Sequence, residues 1–250
     1  MNNITIQEEY SLPSKGLIYG KPFDPVVKLR SMTVAEEMKR LTATENPYKT
    51  MSEIIEDCLV TKLPIPVYDL CLGDYQYLLH KLRVVTYGPD YSLSVMCPFC
   101  GNFFDRSINL DELKVNEYTD DILKELVVDL PTTGKKVELR LQTPRDLDKI
   151  EQKKKEMKKQ FPDMKEDPTI LLNLESLIKS IDGQPVNPAT IQNTLKKLPL
   201  KDSMKIMQRA EKISSLIGID NGLVSECPNC GREINSTFRF TSEFFRPEID

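Results

Sequence analysis

Two short stretches hold the residue types best suited to chemistry. "CPFCG" at residues 97–101 and "CPNCG" at residues 227–231 share a Cys-x-x-Cys pair, a proline after the first cysteine and a glycine after the second. Two thiolates at this spacing on a tight turn can face one ion, and two such turns complete the tetrahedral set that zinc prefers. The glycine permits the backbone conformation that turns amide groups toward sulfur. Cys97, Cys100, Cys227 and Cys230 are therefore the expected ligands of one Zn2+. A redox dithiol is the weaker reading, because neither pair opens a helix within a strand-helix-strand unit. An iron–sulfur cluster could use the same ligands, without a further cysteine run to support it. Four thiolates leave no open coordination position, so the ion would be structural, contributing folding energy on the order of 10 kcal/mol.

Little else in the chain suggests reactivity. His80 is the single histidine and lies in a Leu- and Tyr-rich helical stretch, where it reads as a partly buried surface residue rather than a base. Gly-rich phosphate loops, a nucleophile elbow and an HExxH pattern are all missing from the sequence, so no enzyme is expected. Cys58 shares a helical face with Met51, Ile54, Ile55 and Leu59 and reads as a small core hydrophobe, as does Cys71.

These residues need elements to position them. The 250 residues, 40% of them hydrophobic, can bury a sizeable core. With 34 Lys and Arg against 38 Asp and Glu the net charge is -4, the wrong sign for gripping a phosphate backbone. No leader peptide or membrane span is expected, and the chain reads as soluble and intracellular. Residues 1–25 carry three proline or glycine turn signals and no helical period, which predicts an extended arm. "VVKLR" reads as a strand, and Thr33 with Glu36 forms a capping box that opens a helix to about residue 43. Asn46-Pro47 starts a second helix, and Asp74 can cap a third that Gly88 ends. The first knuckle sits between the alternating runs "YSLSVM" and "NFFDRSINL".

The second block begins with a hairpin around "LPTTG". Thr143-Pro144 opens a helix whose lysine run, "QKKKEMKKQ", reads as a solvated face. Helices over about 168–181, 188–198 and 202–217 follow, then the second strand-knuckle-strand unit. "VKLRSMT" at 27–33 and "VELRLQT" at 137–143 agree at four of seven positions, and Asp74 and Asp202 stand at similar distances before their knuckles. The predicted fold is α+β, mainly helical with short hairpins, as two duplicated halves joined by a split zinc ribbon. Chance use of common caps and turns is the competing explanation. The boundaries are 1–25 for the arm, 26–110 and 111–240 for the halves, and 241–250 for a tail.

Both ends look suited to partners. Leu17, Ile18, Tyr19 and Phe23 have no regular period with which to bury themselves, and Phe244 and Phe245 are adjacent aromatics between charged residues. Folding back onto the chain's own core is the alternative.

The opening "LPSKGLIYG", the "VVKLRSMTVAEEMKRL" segment and "LRVVTYGPDYSLSVMCPFCG" resemble the baseplate hub assembly proteins of contractile-tailed, T-even-type bacteriophages. The matching positions are Pro13, Gly16, Tyr19, Arg30, Glu36 and Glu37, within roughly the first 110 residues. The resemblance implies a non-enzymatic tail or baseplate protein that contacts other phage tail proteins, in the host cytoplasm during assembly or in the virion. A zinc-ribbon nucleic-acid-binding module is the alternative, but the residues flanking the knuckles are mixed in charge and nearly neutral, which makes nucleic acid an unfavoured partner.

Overall fold

The structure, a computed structural model, describes residues 5–187, 190–237 and 242–245. Its first half runs β1 (Gln7–Ser11), β2 (Val26–Arg30), α1 (Val34–Leu41), α2 (Pro47–Cys58), α3 (Leu72–Tyr87), β3 (Asp90–Met96) and β4 (Phe103–Asn109). The second runs β5 (Val115–Asn116), α4 (Asp121–Glu125), β6 (Val127–Asp129), β7 (Lys136–Leu139), α5 (Pro144–Gln160), α6 (Thr169–Leu177), β8 (Ile178–Ile181), β9 (Gln184–Pro185), α7 (Ile191–Lys196), α8 (Leu200–Ser214), β10 (Gly218–Ile219), β11 (Gly222–Glu226) and β12 (Glu233–Thr237). Helix and strand are mixed, as expected.

Each half opens on an antiparallel strand pair in matching register. β1 lies on β2 with Tyr10 opposite Val27, and β6 lies on β7 with Val128 opposite Val137. The chain leaves the first strand through Leu12-Pro13-Ser14-Lys15-Gly16 in one half and Leu130-Pro131-Thr132-Thr133-Gly134 in the other. The second strand then feeds a capping box. Thr33 with Glu36 opens α1, and Thr143 with Asp146 opens α5. Alternation puts Val27 and Leu29, like Val137 and Leu139, on the core side.

One buried carboxylate near the start of the last helix fastens each opening turn. Asp74 on α3 accepts from the Ser14 amide at 2.9 Å, from the Ser14 hydroxyl, and from the Tyr19 hydroxyl at 2.6 Å. Asp202 on α8 accepts from the amides of Thr132 and Thr133 at 2.8 and 3.0 Å and from the Thr133 hydroxyl at 2.8 Å. Cys71, rather than Asp74, is the N-cap of α3, so Asp74 is turned inward to hold the arm.

Two main cores result. The first gathers Leu12, Val27, Leu29, Ile54, Ile55, Leu78 and Leu82, and the second Val128, Val137, Leu139, Leu174, Ile178 and Ile206. Between them Cys71, Tyr118, Ile122 and Ile217 form a smaller cluster. There α3 passes so close to β10 that a Cβ on Gly73 would stand 2.3 Å from the Ile217 carbonyl oxygen, so only glycine fits. Cys58 and Cys71 are buried, as expected, and burial pushes both thiols up to about 12.

The structure corrects several expectations. The arm is not free: residues 7–11 are a strand, Leu12 is buried, and Tyr19 is held by Asp74. The helix expected over 168–181 stops at Leu177, after which Ile178–Ile181 joins β7 as a strand. The lysine run of α5 does face solvent, with Lys153 and Lys154 paired to Glu175 and Glu151. His80 is buried rather than superficial, stacked on Phe244 at 6.4 Å, and burial lowers it to about 4.

Candidate metal centre

Each knuckle is a hairpin turn. β3 and β4 pair from Asp90–Asn109 to Met96–Phe103, and β11 and β12 from Gly222–Thr237 to Glu226–Glu233. Beyond the last pair the two turns are hydrogen-bonded alike. The Cys97 amide donates to the Asn102 carbonyl at 2.8 Å and the Gly101 amide to the Cys97 carbonyl at 2.9 Å. Cys227 reaches Arg232 at 3.0 Å, and Gly231 reaches Cys227 at 2.9 Å. Gly101 and Gly231 have φ of 72° and 66°, the left-handed conformation that makes glycine the natural residue there.

The fold brings the turns face to face. All four Sγ atoms lie within 4.8 Å of one another. Cys97 faces Cys230 at 3.7 Å, and Cys100 faces Cys227 at 3.7 Å. A tetrahedral ion with sulfur ligands at about 2.3 Å requires S···S edges of about 3.8 Å. The donor set therefore fits a metal ion of that size. Cys97 and Cys227 are buried with Val95 and Ile234, while Cys100 and Cys230 are exposed.

Electrostatics around the sulfurs favour a cation. The Asn102 amide, helped by the Asn229 side chain at 3.6 Å, lowers the Cys100 thiol to about 6. At Cys230 the Arg232 amide also lowers the thiol, but desolvation and the three neighbouring sulfurs outweigh it and push the group up to about 11. Cys100 thus ionises readily, and Cys230 does so only with a positive ion among the sulfurs. Among the described residues this is the one cluster of three or more His, Cys, Asp or Glu side chains placed to hold a metal.

The residues expected to reach partners are placed differently. Phe244 and Phe245 are 0% and 2% exposed inside the first core, with the Phe244 carbonyl accepting from Arg83 Nε at 3.0 Å. This corrects the reading of the tail as a free anchor: the aromatics complete a core that the first half leaves open. Tyr19 stacks on Phe23 at 5.3 Å, and Ile18 packs on the cluster between the halves. Leu17 alone of the six is exposed. Sequence reasoning missed Arg83, a fully buried arginine that also donates to the Gly88 and Asp90 carbonyls at 2.9 and 3.3 Å. Its position within an otherwise apolar helical pattern was the available signal.

The described residues thus form a mixed α and β chain in which four cysteine sulfurs gather between two hairpin turns. The chain belongs to the family described as T4 bacteriophage base plate protein, which matches residues 3–246. Membership implies a structural role in the phage tail baseplate, with other phage proteins as partners. Neither the curated proteins nor the solved structures give a match. No helix among the described residues is long and apolar enough to cross a membrane.

Proposed function

We propose that this protein is a non-enzymatic structural or assembly component of the baseplate hub of a contractile phage tail, held together by one Zn2+ on Cys97, Cys100, Cys227 and Cys230. The family match across residues 3–246 carries the reading, and the tetrahedral spacing of the sulfurs supports the metal. A bound zinc would neutralise the thiolates and fix the two hairpins to each other. Native mass spectrometry of the purified chain should find one zinc. Changing Cys227 and Cys230 together to serine should remove it and Cys58→Ser should not; the opposite pattern would sink the assignment. Mass spectrometry of purified virions, with pull-downs from infected cells, tests the baseplate role.

We also read residues 26–110 and 136–240 as repeats, each preceded by a segment, the arm in one case and residues 111–135 in the other, that supplies the strand and turn at its opening. What supports this is the recurrence of one construction: strand pair, Leu-Pro turn held by a buried aspartate, arginine-tied capping box, and knuckle. Leu17 shares a surface hollow with Leu123, and we keep it as a partner-facing residue.

A further inference from the structure

Helix α1 is built inside out. Val34, Met38 and Leu41 form one stripe at helical spacing and are 76%, 67% and 69% exposed. Its charged residues are the ones that pair with the protein and with each other: Glu36 with Arg30, Glu37 with Arg40, and Lys39 with Glu53 and Asp57. A solvent-facing helix normally shows the reverse arrangement.

The second half contains the same helix face in use. Counted from the capping threonines, Pro144 and Asp148 of α5 stand where Val34 and Met38 stand on α1. Asp148 is 1% exposed and accepts from the amides of Tyr48 and Lys49 at 3.3 and 2.8 Å and from the Tyr68 hydroxyl at 3.0 Å. Beside it Arg145 pairs with Asp69 at 2.5 Å and lies over the Tyr68 ring. This face of α5 thus docks on the start of α2 and the Val67–Asp69 turn in the first half. The counterpart of that receiving surface in the second half is the start of α6 with the end of α7. There Ile170 is 44% exposed, and Lys196 and Lys197 are exposed.

We infer that the apolar face of α1 docks on the α6–α7 end of a second copy of this chain, head to tail, repeating between molecules the contact that α5 makes within one. A hollow of about 350 Å³ beside Lys197, walled by Leu130, Val137, Leu195 and Ile206, gives Met38 and Leu41 an apolar seat. Charge is complementary as well. Lys196, Lys197, Lys201 and Lys205 are exposed along the end of α7 and the start of α8, while Glu45 is exposed between α1 and α2, where Glu53 and Asp57 already share Lys39. Residues 136–240 carry an excess of Lys and Arg, and residues 1–135 an excess of Asp and Glu. Contacts of this heterologous kind close into rings or extend into filaments.

The inference rests on reading the halves as repeats. A photo-reactive benzoylphenylalanine at position 38 of the zinc-loaded full chain should give a covalent dimer whose cross-link maps to residues 165–205 of the other copy. Met38→Glu, at an exposed position, should shift sedimentation to the monomer without lowering the melting temperature. No covalent dimer across a concentration series, cross-links from α1 to α1, or unchanged sedimentation of Met38→Glu would overturn it. Failure of the repeat reading is seen separately, as an experimental structure in which β1–α1 and β6–α5 do not superpose.

Discussion

Arg30 and Arg140 each reach six residues along the chain to the carboxylate of a capping box, Glu36 at 2.7 Å and Asp146 at 2.8 Å. The Arg30 hydrogen bond, opposed by burial and aided by Thr33, draws Glu36 down to about 2. Burial opposes ionisation at Asp146, but Arg140 and Thr143 outweigh it and lower that group too. Both folded values lie below the unfolded ones, so each pair contributes stability that is fully present above the unfolded value and is lost as pH falls through the folded one. For Glu36 that window runs from about 4.5 down to about 2. Thermal melts across it should lose roughly 2 kcal/mol from this pair, and Glu36→Gln should be destabilised by a similar amount at pH 7 yet hardly at all near pH 2. A variant with an unchanged acid profile would show that the pair contributes nothing. Affinity of the proposed zinc site should fall over a higher range, since the ion competes with protons for thiolates. Chelator titrations at pH 6 and 8 would measure that.

At the scale of elements, two close contacts carry testable weight. Gly73 lets α3 press on β10, so Gly73→Ala forces backbone apart and should cost about 2 kcal/mol or more, read as a lower denaturant midpoint. The 3₁₀ turn at Ser242–Phe245 seals the first core, so truncation before residue 242 should lower the melting temperature by several degrees while zinc content is retained. An unchanged melt would return the tail to the surface. The capping boxes and knuckles were legible because single residue types at fixed spacing dictate them. β1 was hidden by "QEEY", whose two glutamates face solvent on an edge strand. β8 was hidden because "LLNLESLIKSI" satisfies a helical period, and only pairing with β7 turns its last residues into a strand. Tyr19 and Phe244 read as loose ends for the same reason: the surfaces that cover them are remote in sequence.

Over the whole molecule, the four-cysteine cluster brings together turns at the ends of two segments that also meet through the Cys71–Ile217 cluster and the docking of α5 on α2. Sequence spacing singled out the four cysteines, but their convergence depended on how the chain from residue 101 to 226 folds back, which no local pattern states. Stripping the proposed zinc with a thiol-competent chelator should lower the melting midpoint by on the order of 10 °C. A melt indifferent to the chelator would mean the sulfurs are held by packing alone.

Arg83 and the carbonyl of Phe244 stand 161 residues apart in the chain and meet only once residue 244 has been made. During translation the segment up to Leu110 leaves the ribosome with the floor of its core built and the lid still unsynthesised. At roughly 5–20 residues per second, the wait for Phe244 is about 7–27 s. In that interval apolar surface around Tyr91 and Leu223 lacks its cover, first because Leu223 is unmade and then because the aromatics are. A chain cut before Phe244 therefore leaves the apolar surface at Tyr91, built from residues made far earlier, without its cover.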